Sequence, residues 1–79
     1  MNYFIVEARY IADHTVWLRF RDGSAGEIDL EPEVHGEVFE PLRDVQFFRR
    51  FRVDGGALEW PNGASFAPEF LHDNIRVAT

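Results

Sequence analysis

Between Tyr3 and Tyr10 the chain alternates loosely, with Phe4, Val6, Ala8 and Tyr10 on one side and Glu7 and Arg9 on the other. The pattern predicts a strand, because side chains at i and i+2 share a face of an extended chain. Ile5 falls on the polar side, which predicts burial of both faces near the start. Asp13-His14 reads as a turn. Val16, Leu18 and Phe20 then share one phase and Arg19 and Arg21 the other, the clearest strand in the chain. Asp22-Gly23 follows as a hairpin signal, because both positions of a two-residue turn tolerate φ > 0 there. The returning strand, Ala25 to Leu30, sets Ile28 and Leu30 against Glu27 and Asp29. The first half is thus predicted to be a three-stranded antiparallel meander.

Pro32 closes that strand, since proline cannot donate to a ladder. Glu31 to Gly36 reads as a loop or a single helical turn, and Val38 and Phe39 as anchors returning to the core. Pro41-Leu42-Arg43-Asp44 opens a short helix with Asp44 as its N-cap, and Val45, Phe48 and Phe51 fall near helical spacing. Phe51 to Asp54 and Ala57 to Trp60 flank Gly55-Gly56, a second hairpin signature. Trp60-Pro61-Asn62-Gly63 stops that strand in a tight turn. Pro68 starts a helix, with Glu69 near its positive end, that reaches about Asn74. The residues from Ile75 to Thr79 are expected to fray. No internal linker or low-complexity segment interrupts the chain, and the two hairpins are too dissimilar to read as a repeat. The fold expected is α+β: one domain over residues 1–79, with two hairpin regions forming a small antiparallel sheet and two short helices beside it.

Composition sharpens this picture. The chain has 79 residues, 46% of them hydrophobic, and its eight Phe, two Trp and two Tyr are a heavy aromatic load for a core this small. With no cysteine, disulfides, thiolate nucleophiles and Cys-based zinc or iron–sulfur sites are excluded. A small core without covalent staples makes self-association or a partner more plausible. All eight basic residues are Arg, so Schiff-base and P-loop lysine chemistry is absent. The N-terminus lacks a basic leader and no apolar run reaches the ~20 residues of a membrane span. A cytoplasmic protein is expected.

Charge is distributed unevenly. Asp22 to Phe39 holds six carboxylates and no Arg, whereas Arg43 to Arg52 holds four Arg and one Asp. The acidic stretch reads either as solvated surface or as a face for a basic partner or a second copy of the chain. A net charge of −6 disfavours nucleic acid, whose binding needs a basic field. The mixture of Phe and Arg from Phe47 to Arg52 resembles single-strand binders, yet such Phe are commonly core and such Arg snorkel. Trp17 lies in phase with Arg19, on the polar side of its strand. It is either covered by a helix or serves as an interface anchor.

Standard catalytic equipment is missing. His14, His35 and His72 show no metal-ligand spacing, and neither Ser24 nor Ser65 sits in a nucleophile elbow. Glu33-His35-Glu37 alternates ligand-type side chains and reads as a polar loop or a weak metal site. His72-Asp73 are neighbours on a helix and do not face each other. No enzyme, cofactor or metal is expected.

Leu18-Arg19-Phe20-Arg21-Asp22-Gly23, Glu27-Ile28-Asp29-Leu30, Phe39-Glu40-Pro41-Leu42-Arg43-Asp44, Phe47-Phe48, Leu58 through Ala64 and Ala67-Pro68-Glu69-Phe70-Leu71 together resemble the bacterial family called domain of unknown function 2442. The resemblance covers nearly the whole chain, and Trp60-Pro61-Asn62-Gly63 followed by Ala67-Pro68 is its most specific part. It implies a small α+β fold with an antiparallel sheet. Some relatives are fused to a helix-turn-helix domain, and DNA binding by such an appended domain is not expected here. Others are encoded beside another small protein, in the manner of toxin–antitoxin pairs. No catalytic residues are established for the family, so none carries over. Relatives usually have Asp where this chain has Ser65.

The function expected is non-catalytic protein–protein interaction, antitoxin-like in a two-gene pair, with a small basic protein or a second copy as partner. Trp17 would be the apolar anchor, with Glu27, Asp29 and Glu31 as the acidic face and Glu59 and Asn62 as a polar rim. The alternative is a small-ligand or metal-binding domain, using Glu33-His35-Glu37 or the turn at residues 59–63.

Overall fold

β1 (Ile5–Ala12), β2 (Thr15–Phe20) and β3 (Ala25–Asp29) form an antiparallel sheet in that order in the computed structural model, which describes residues 3–76. Val16 pairs with Ile28 and Leu18 with Gly26 on the buried face. Trp17 stands between Arg9 and Glu27 on the other. The meander is therefore as the alternation predicts. The start of β1 differs. The register shifts between Ile5, opposite Phe20, and Glu7, opposite Arg19, so Val6 is an extra residue in the strand. This bulge turns Ile5, Ala8 and Tyr10 to the core side and leaves Val6 47% exposed. Apolar residues in both phases thus signal a bulge here, not a strand buried on two faces.

The two-residue turn expected at Asp22-Gly23 is a three-residue loop. Gly23 N–H donates to Phe20 O, Phe20 N–H to Ser24 O, and Ser24 N–H to Asp22 Oδ1. Gly23 has φ +91° while Asp22 keeps a negative φ, the form of a type I turn followed by a bulged glycine. Asp13 is the one described non-glycine residue with positive φ, at +49°, a value that Asp tolerates. Beyond β3, Glu31–Glu33 and Glu37–Arg43 are 3-10 turns, the second tightened around Pro41. Asp44 caps the four-residue helix α1 (Val45–Phe48), its Oδ1 accepting from Gln46 N–H at 3.0 Å.

β4 (Arg52–Asp54), β5 (Ala57–Glu59) and β6 (Ser65–Phe66) form a second antiparallel sheet, and α2 (Pro68–Asn74) follows. The strands thus divide into two sheets, where one was expected. Gly55 and Gly56 both have positive φ, as a two-residue hairpin requires. The turn into β6 repeats the turn into β3. Gly63 N–H donates to Trp60 O, Trp60 N–H to Ala64 O, and Ala64 N–H to Asn62 Oδ1. Gly63 has φ +90°. Each half is therefore a three-stranded meander followed by a short helical segment with a Pro in its first turn, Pro32 in the first and Pro68 in the second.

The two sheets share one core. Trp60, Phe48 and Phe20 are essentially inaccessible, together with Leu18, Leu30, Leu42, Leu58 and Leu71. Phe48 is its hub, packed edge-on to His14, Tyr10 and Phe51 and 5.6 Å from the Trp60 ring. The Trp60 indole N–H donates to Phe48 O at 2.7 Å, which satisfies the polar atom of the largest buried side chain. Phe39 reaches back to stack on Phe66, whereas Val38 is 49% exposed and does not anchor the chain. Ile75 packs on the core and Arg76 bridges to Glu27 of β3 through both backbone bonds. This end is pinned where fraying was expected, and residues 77–79 lie outside the described residues. No described helix is long and apolar enough to cross a membrane.

Candidate functional site

The outward face of the first sheet gathers the residues that sequence singles out. Trp17 is half-buried, with the Arg9 guanidinium 5.6 Å from its ring centroid on one side and Glu27 across the ladder on the other. Both helices pack on the opposite, core side, α1 through Phe48 and α2 through Leu71. Neither covers Trp17. Asp29 pairs with Thr15 two positions further along the same face. Its Oδ1 accepts from Glu31 N–H at 3.0 Å, which fixes the turn that brings Glu31 to the end of the face. Glu27, Asp29 and Glu31 are all exposed. Glu7 completes the surface, holding Arg9 at 2.6 Å and Arg19 at 2.9 Å. The hydrogen bonds from Arg19 and Arg9 hold the Glu7 carboxyl below its ordinary range. The face is thus an aromatic ring set in a lattice of mixed charge, with exposed carboxylates along the β3 side.

Glu59 and Asn62 stand elsewhere, and their side chains are engaged within the protein. Glu59 is half-buried on β5 and accepts two hydrogen bonds from Arg52, whose pKa it raises. Asn62 donates to Val38 O at 2.8 Å while its Oδ1 closes the turn. Sequence spacing brings them near a rim, but the geometry gives both fastening roles. Glu33, His35 and Glu37 do not converge. Among the described residues no group of three or more His, Asp or Glu is placed to hold a metal ion.

Two clefts flank the turn at Glu31–Glu33. The first, about 400 Å³, opens between the outer edge of β3 and the end of α2, where Glu27, Asp29 and Glu33 face Pro32, Phe70 and Arg76. The second, about 390 Å³, brings His14, His35 and Arg43 together beside Val34. His14 is buried and its Nε2 lies 2.8 Å from Leu42 O. A carbonyl only accepts, so Nε2 carries the proton. Phe70 and Arg76 enter the first cleft from the far end of the chain, a convergence that no spacing reveals.

A third cluster also spans the chain. His72 Nε2 donates to Asp22 Oδ2 at 2.9 Å, and the imidazole packs edge-on between Tyr3 and Phe20. The sequence neighbour Asp73 is 3.8 Å from Nδ1, farther than Asp22. Ser24 N–H and then His72 lower the Asp22 pKa. This contact ties α2 to the β2–β3 turn.

Taken together, these elements define a small α+β domain of two antiparallel meanders, each followed by a short helical segment, with charged outer surfaces. Residues 5–77 match the family model described as Protein of unknown function (DUF2442), and the chain belongs to that family. Neither the curated proteins nor the solved structures contain a match to it.

Proposed function

We propose that this domain is a non-catalytic protein–protein interaction module that binds a small basic protein, as the antitoxin-like member of a two-gene pair. The observation behind this reading is Trp17: a large aromatic side chain on a sheet face that neither helix covers, with the carboxylates of Glu27 and Asp29 beside it. Trp is the side chain most often found as an interface anchor, and surrounding charge sets partner choice and encounter rate. A net charge of −6 adds long-range attraction for a basic surface.

The experiment is affinity capture of the tagged protein from its host, followed by titration of the captured partner. Trp17→Ala should weaken the complex by about tenfold or more, the scale of an aromatic anchor. Combined Glu27→Arg, Asp29→Asn and Glu31→Arg should slow association and flatten its salt dependence. Asn is chosen at 29 because it can still accept the Glu31 N–H. Recovery of the protein alone at low salt would overturn the reading. The cleft at His14, His35 and Arg43 supports a second reading, a small-ligand domain. A thermal-shift screen with small anions and divalent metals separates the two, since a ligand of the native state raises the melting temperature by mass action.

A further inference from the structure

Among the described residues, the edge of β3 is bonded at Glu27 and open at Asp29. Glu27 exchanges both backbone hydrogen bonds with Arg76, at 3.1 and 2.7 Å, on the side away from β2. In an antiparallel ladder these groups alternate direction along the strand. The N–H and C=O of Asp29, two residues on, therefore point off the same edge, and no described backbone group bonds them. They open on the cleft of about 400 Å³. Its walls are of two kinds. Glu27, Asp29 and Glu33 supply three carboxylates against the single guanidinium of Arg76, while Phe70 and Pro32 supply apolar surface. Phe70 is half-buried, held by stacking on Phe66 with centroids 6.1 Å apart, so its ring is a fixed wall.

We propose that this cleft receives an arginine or lysine side chain of a basic protein partner, and that the free peptide groups of Asp29 bond the backbone that carries it. The inference rests on the interaction reading above and names how the partner docks. Strand-edge hydrogen bonds supply register, and a pocket for one side chain supplies selectivity. The carboxylates neutralise the cation. Phe70 and Pro32 cover its methylene stem, and an aromatic face attracts a guanidinium. The occupant is a side chain on a peptide and not a free anion, because the charge lining the cleft is net negative and the unpaired backbone groups match a peptide.

The test is an NMR titration of the ¹⁵N-labelled full chain with the capped tripeptide acetyl-Thr-Arg-Thr-amide. Saturable shifts are expected at the amides of Glu27, Asp29, Phe70 and Asn74. The citrulline analogue, neutral but of the same shape, should bind about tenfold more weakly, as loss of a charge-assisted contact predicts. Methylation of the arginine backbone nitrogen should weaken it as well. Glu33→Gln should weaken binding while Glu37→Gln, outside the cleft, should not. Absence of saturable shifts, equal binding of the citrulline analogue, or equal loss from the two Gln variants would overturn the proposal. A captured protein partner whose affinity is unchanged by Glu33→Gln would overturn the cleft and leave the interaction reading standing. Tripeptide binding in the cleft without any captured partner would support the cleft and overturn the stable-partner reading.

Discussion

Four of the eight arginines lie over aromatic rings: Arg9 over Trp17, Arg21 over Phe4, Arg49 over Tyr10 and Arg50 over Phe47. Guanidinium groups suit this because they are planar and weakly hydrated. The surplus of aromatic residues is thus divided between the core and a set of guanidinium-covered surface rings. Backbone constraints are as local. Gly56 has φ +83°, and a Cβ there would lie 2.6 Å from the Phe4 ring. Gly56→Ala should therefore cost about 1–3 kcal/mol in chemical denaturation, the scale of an enforced left-handed conformation. Gly55→Asn should be nearly neutral, since φ is +60° and nothing lies within 4 Å of its Cβ position. Asp22 gives a pH dependence. Its folded pKa is lowered by Ser24 N–H and His72 from an ordinary value of 3.8. The stabilisation it brings is complete above that value and is lost as pH falls through the folded pKa. Urea melts between neutral pH and pH ~3 should show an acid limb that is shallower in Asp22→Asn, because Asn keeps the turn but does not titrate.

Strands and turns were legible to the degree that their signals are local. Period-two alternation located β2 and β3, and Gly55-Gly56 located the second hairpin. Pro68 and Asp44 marked the two helix starts. The bulge at Val6 was hidden because an extra residue reverses the phase, and only the pairing with β2 shows where. β6 escaped because two residues carry no period, although Trp60-Pro61-Asn62-Gly63-Ala64 follows the same aromatic, Asx, Gly order as Phe20-Arg21-Asp22-Gly23-Ser24. Reading one turn against the other would have found the strand. Of the candidate site, the shared face of Trp17, Glu27 and Asp29 was legible because strand parity fixes which side chains lie together, whereas Glu31 reaches it through the Asp29 turn. The cleft was not, since β3 meets α2 only in the folded molecule. Asn62 tests the turn directly. Asn62→Ala removes both the bond to Ala64 N–H and the link to Val38 O. A loss of about 1–2 kcal/mol is expected, the sum of two modest hydrogen bonds. Asn62→Asp should restore the turn bond alone and recover part of the loss by thermal denaturation.

Because both sheets close on the same aromatic core, they should unfold together. Fluorescence can follow this, since the two Trp differ in setting: Trp60 is 1% exposed and Trp17 half-buried. Trp60→Ala should cost about 3–5 kcal/mol, as other large aromatic deletions do, and should abolish the transition at both sheets. Trp17→Ala should move the midpoint much less, because the side chain is only half-buried and its cross-strand and guanidinium contacts are worth about 1 kcal/mol. That contrast separates a residue that the fold requires from one that it tolerates losing. The twin turns carry a consequence of a different kind. The loops into β3 and β6 close with the same three hydrogen bonds, so one loop geometry is used twice and either loop should accept the other's three residues without a change of strand register.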